Sequence, residues 1–101
     1  MKISKETLVL TKLELVDVCE EEYTIYLNSV LSLEHTIGTD TTDTYAITFA
    51  TEDFLYPTER IYITKEDWYK IKELIEEGRH LSINEHKYSD SVTYEYYFDN
   101  L

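Results

Sequence analysis

One cysteine, one proline and two glycines occur among the 101 residues, and no lysine or arginine stands between Lys12 and Arg60. A single cysteine, Cys19, excludes an intrachain disulfide and suits a reducing compartment. Beside a run of glutamates its thiolate is disfavoured, so a quiet thiol is expected rather than a nucleophile. So few glycines and prolines speak against long flexible linkers, and the chain is read as one domain, 1–101. No run of 18 apolar residues occurs, and Met1, Lys2 and Glu6 open a charged start with no apolar core behind it. Neither a membrane span nor a signal peptide is expected, and the protein is expected to be cytoplasmic. The missing bases exclude most: a surface short of cations cannot displace phosphate counterions, so direct nucleic-acid binding is not expected.

What is present is acid. Twenty-one Asp and Glu against nine Lys and Arg give a formal net charge of −12. Eleven acids fill the 47 residues without a base: Glu14, Asp17, Glu20, Glu21, Glu22, Glu34, Asp40, Asp43, Glu52, Asp53 and Glu59. Their summed potential must be strongly negative, and their repulsion opposes the compact state. With 43% apolar residues the chain can still bury a core without disulfide or metal.

The periodicity predicts an α+β domain, mainly one antiparallel sheet of about five strands in the order β-β-β-β-α-β. Residues 7–18 read as one bulged strand, because Leu8 and Leu10 share a parity that Leu13 and Leu15 reverse and Val16 and Val18 restore. Residues 19–22 read as a turn and 23–27 as a second strand, which residues 28–35 could prolong. Residues 36–43 are a polar loop and 45–50 a third strand, with Tyr45, Ile47 and Phe49 on one face. A loop containing Pro57 (51–59) leads to a short strand, 60–63. The principal helix, 65–77, has Thr64 at its cap with Asp67 three residues on, a stripe of Trp68, Ile71, Leu74 and Ile75, and Gly78 as its stop. Glu66 with Lys70 and Lys72 with Glu76 balance charge along its outer face. The last strand, 92–98, sets Val92, Tyr94, Tyr96 and Phe98 on one side.

Chemistry-bearing patterns are few. His35, His80 and His86 are scattered and join no zinc spacing, and residues 40–43, Asp-Thr-Thr-Asp, lack the glycine and terminal glutamate of a calcium loop. No nucleophile–base pair and no phosphate-cradling loop occurs, so the chain is read as no enzyme, with no cofactor and no metal. Tyr94 and Tyr96 share the core parity, whereas Tyr97, on the opposite face with Glu95 and Asp99, and Tyr88 nearby are less easily used in a core and are candidates for contact with a partner. Acids have two readings. One is a solvated face that keeps the protein soluble. The other is a binding edge: carboxylates on alternate strand residues stand about 6.6–6.8 Å apart, comparable with neighbouring phosphates of a nucleic-acid strand. On the second reading Glu14, Asp17, Glu20, Glu21, Glu22, Asp40, Asp43, Glu52 and Asp53, with Tyr88 and Tyr97, are the candidate contact residues.

With its Glu20, Glu21, Glu22 run, its base-free stretch and its Tyr-rich strands, the chain resembles in general character the small acidic inhibitors of phages and mobile elements. These are anti-CRISPR proteins, anti-restriction DNA mimics and uracil-DNA glycosylase inhibitors. That resemblance implies stoichiometric inhibition of a basic partner, a nucleic-acid-binding enzyme or nuclease. Two other readings stay open, an immunity protein or antitoxin that neutralises a basic toxin and a plain protein-interaction subunit.

Overall fold

A computed structural model describes residues 1–39 and 43–98, and confirms an α+β domain that is mainly antiparallel sheet. Its elements are β1 (Lys2–Lys5), β2 (Thr11–Val16), β3 (Glu22–Tyr26), a 3-10 turn (Leu27–Ser29), β4 (Val30–Gly38), β5 (Asp43–Ala50), β6 (Thr58–Tyr62), α1 (Lys65–Glu76), β7 (Leu81–Lys87) and β8 (Ser91–Phe98). Two antiparallel sheets result, one ordered β1-β2-β3 and one ordered β6-β5-β4-β8-β7. Among the described residues no helix is long and apolar enough to cross a membrane.

Alternation decides which side of the large sheet is buried. Leu33 stands opposite Ile47 and Tyr96, and Ile47 opposite Ile61, so one face collects these side chains with Tyr45, Phe49 and Phe98. Against it pack Leu13, Leu15 and Ile25 of the small sheet and Trp68, Ile71 and Ile75 of α1, in one core. At about 25 cal/mol per Å² of apolar surface removed from water, each large side chain buried there contributes roughly 1.5–3 kcal/mol. The opposite face carries Ser32, Glu34, Thr36, Thr48, Thr93, Glu95 and Tyr97, the polar alternates of the same strands, together with buried Ala46.

The helix forms where the sequence places it. Thr64 Oγ1 accepts from the Asp67 amide at 3.3 Å, which satisfies one of the free donors of the first turn. Trp68 is fully buried and its Nε1–H donates to the Ala46 carbonyl at 3.1 Å, fixing the helix to β5. The helix ends at Glu76, where the amides of Gly78 and Arg79 both turn back to the Ile75 carbonyl. Gly78 has no positive φ, so its expected left-handed stop is not used.

Other expectations are corrected. There are eight strands among the described residues, not five, and they form two sheets. Residues 7–18 are no single bulged strand. Glu6 to Leu10 turn between β1 and β2, with Thr7 Oγ1 accepting from the Val9 and Leu10 amides at 3.2 and 3.0 Å. That turn is the source of the parity shift, and it leaves Leu8 and Val9 in solvent. Residues 36–38 belong to β4 rather than to a loop, held by β5 and β8 on either side and by a 2.9 Å bond between the Thr36 and Thr93 hydroxyls. Strand β7 escaped prediction because a polar, mostly exposed edge strand leaves no hydrophobic pattern to read.

Candidate partner-binding surface

The turn at residues 17–22 joins β2 to β3 and is built around Asp17. Its Oδ1 accepts from the amides of Cys19 and Glu21 at 2.8 and 2.9 Å, while its own amide donates to the Glu21 carbonyl at 2.9 Å. The chain reverses at Glu20, whose φ of 66° lies in the left-handed region that glycine or asparagine ordinarily fills. Val18 donates its amide to the Tyr62 carbonyl at 2.9 Å, which seats the turn on β6, an edge strand of the large sheet. Glu20, Glu21 and Glu22 are all exposed.

Tyr23 anchors the cluster from beneath. Its ring meets Phe49 edge-on at 6.1 Å, and its hydroxyl donates to Glu21 Oε2 at 2.8 Å. That bond, burial, and the charges of Glu21, Glu59 and Asp17 together raise the Tyr23 pKa far above the ordinary phenol value. The tyrosine therefore senses acids from the turn and from β6 at once. Glu59 stands opposite Phe49 in the β5–β6 ladder, so the two hairpins contribute to one negative patch. Among the described residues none of Glu20, Glu21, Glu22 and Glu59 joins an ion pair.

The remaining candidates are dispersed. Glu14 faces Lys2 across the β1–β2 ladder, with its Oε2 3.7 Å from Nζ, so the fold supplies a base that the sequence stretch lacked. Glu34 is likewise paired, receiving Nε and Nη2 of Arg60 at 3.1 and 2.6 Å. Asp43 Oδ2 lies 3.2 Å from His35 Nε2. With Val18, Tyr62 and Lys65, Asp43 lines a shallow groove of about 340 Å³ close to the turn. Asp40 lies outside the described residues. Tyr88 is exposed in the connection between β7 and β8, at the sheet edge opposite β6. Tyr97 is exposed on the polar face, where its hydroxyl donates to Glu95 Oε2, a bond that raises its pKa. Neither tyrosine belongs to the acidic patch at β6.

Glu52 and Asp53 occupy the tip of the β5–β6 hairpin and bring with them residues that the sequence reading passed over. Phe54, Leu55 and Tyr56 are 96%, 77% and 71% exposed. They belong to an ordered loop. Asp53 Oδ1 accepts from the Leu55 amide at 2.9 Å and the Tyr56 amide at 3.4 Å, and the Thr51 amide donates to the Pro57 carbonyl at 2.8 Å. Thr51 Oγ1 also donates to the Tyr56 carbonyl and accepts from the Asp53 amide at 3.2 Å. The available signal was three consecutive large apolar residues beside a proline, where a loop between strands is ordinarily polar.

A second groove, of about 930 Å³, lies between the β1–β2 turn and the end of α1 and is lined by Lys5, Leu8, Val9, Leu27, Leu74 and Arg79, among others. Among the described residues no group of three or more His, Cys, Asp or Glu side chains is placed to hold a metal ion. No family model matches the chain, and comparison with curated proteins and with solved structures finds no match.

Proposed function

We propose that this is a non-catalytic acidic binding protein, a stoichiometric inhibitor of the anti-CRISPR or anti-restriction kind. It occupies the basic groove of a nucleic-acid-binding protein or nuclease. The observation that carries this reading is the turn at residues 17–22. Its three exposed glutamates, with Glu59 nearby, join no ion pair among the described residues, and hydrogen bonds to Asp17 and to β6 hold their backbone in place. A negative patch of fixed shape meets a field of Lys and Arg without first having to order itself, and charge complementarity speeds the encounter and sets its register. Carboxylates desolvated against arginine also slow release, through charge-assisted hydrogen bonds.

The test replaces Glu20, Glu21 and Glu22 together by glutamine, which keeps size and polarity and removes charge. The variant is expected to fold as well as the parent. Its affinity for a partner recovered from native host lysate, measured by calorimetry, is expected to fall at least about tenfold, or roughly 1.4 kcal/mol. Equal affinities would leave the turn without a role in binding.

A further inference from the structure

We infer that the tip of the β5–β6 hairpin, Phe54, Leu55 and Tyr56, is an apolar anchor that inserts into a pocket on a protein partner rimmed by lysine or arginine. The inference rests on the reading that the chain works by binding a basic protein, and it adds a second, chemically different contact. Three large apolar side chains in a row, each more than two-thirds exposed, cost free energy in water that folding does not recover. A loop free to move would fold such residues back onto the body of the molecule. Here the Thr51 and Asp53 bonds described above hold the backbone open, so the side chains are presented outward. Pre-ordered aromatic side chains lose little entropy on binding, and hot spots of interfaces are drawn from this class.

Charge decides which occupant fits. Glu52 and Asp53 precede the apolar triplet and Glu59 follows it, and none of them joins an ion pair among the described residues. Two copies meeting tip to tip would set these acids against each other on chains of charge −12. An anionic lipid surface repels the same charges. A pocket with an apolar floor and a cationic rim satisfies both the triplet and its flanks. Because the 17–22 turn is seated on β6, the strand that leaves this tip, the anchor and the acidic patch can engage one partner together.

The experiment has two stages and uses the whole chain. A photoreactive p-benzoylphenylalanine replaces Tyr56 in one preparation and exposed Lys70 of α1 in a control, and each is irradiated in native host lysate. The expected result is one protein cross-linked through position 56 and not through position 70, at a residue in an apolar pocket bordered by Lys or Arg. Calorimetry with that purified protein then compares the parent, Phe54→Ala, Leu55→Ala and the triple glutamine variant of the turn. Phe54→Ala is expected to weaken binding at least about tenfold with an unchanged melting temperature, since the side chain supports no core. Unchanged affinity for both alanine variants overturns the anchor, while a loss confined to the glutamine variant leaves the acidic turn as the contact. Loss in the alanine variants alone keeps the anchor and sinks the basic-groove reading. Cross-linking to a second copy, to lipid, or no more than in the control overturns the inference.

Discussion

Glu20 is the residue where local cost and exposed function meet. A side chain with a Cβ in the left-handed region clashes with the neighbouring backbone at a cost of roughly 1–2 kcal/mol, partly offset here by the bonds that Asp17 makes across the turn. Glycine removes the clash but loses more freedom on folding, by about 0.5–1 kcal/mol. Comparing Glu20→Gly with Glu20→Ala isolates the backbone, because both remove the same charge. The glycine variant is expected to be the more stable by about 0.5–1 kcal/mol in urea titrations, and an alanine variant of equal stability would show that the turn stores no strain. A turn at these positions was legible from its run of charge, but its geometry was not, since nothing in a glutamate announces positive φ. Glu14 shows the converse limit. Its immediate neighbours, Leu13 and Leu15, are apolar, and only strand pairing brings Lys2 beside it.

Among the elements, α1 was the most legible because cap and stripe agree, and agreement across independent signals is what a helix boundary requires. Of the two expected outer-face pairs, that of Lys72 with Glu76 forms and that of Glu66 with Lys70 does not among the described residues. Removing the Thr64 hydroxyl tests the cap directly. Thr64→Ala is expected to cost about 1 kcal/mol of stability, and Thr64→Ser, which keeps the acceptor, only a small part of that. Thermal melts of the two variants separate a capping role from mere packing, in which case serine would be as damaging as alanine. Strands β1, β4 and β7 were harder to read for physical reasons. β1 is four residues long, and β4 carries threonine, histidine and glycine that look like loop. A break in its register on β5 between Val30 and Ser32 also disturbs the alternation. Among the described residues β7 pairs only with β8, so its existence is written in the partner's sequence as much as in its own.

At the scale of the molecule, the predicted class was right and its division into two sheets was not visible. One apolar core serves both sheets, and composition alone does not say where strands cross over one another. Charge is the other whole-molecule property. Among the described residues five lysine or arginine ion pairs form, to Glu6, Glu14, Glu34, Glu76 and Glu85, against the 21 acids of a chain of charge −12. Exposed pairs of this kind contribute only about 0–1 kcal/mol each, so repulsion dominates the balance. Raising sodium chloride from about 10 mM to about 150 mM shortens the screening length from roughly 30 Å to roughly 8 Å and is expected to raise the melting temperature. A lower melting temperature in salt would mean that the local pairs outweigh the field. The seating of Trp68 has an optical consequence. It is the only tryptophan, fully buried, with the rings of Tyr45, Tyr69 and Tyr96 centred 5.3, 4.9 and 5.5 Å away. Excitation absorbed by those tyrosines passes to a single emitter wedged between α1 and β5. The tryptophan emission of the protein is therefore the signal of one site, reporting whether the helix is docked. Because that emitter sits in the core rather than at the β6 edge or the hairpin tip, its colour follows folding and is blind to what the acidic surface holds.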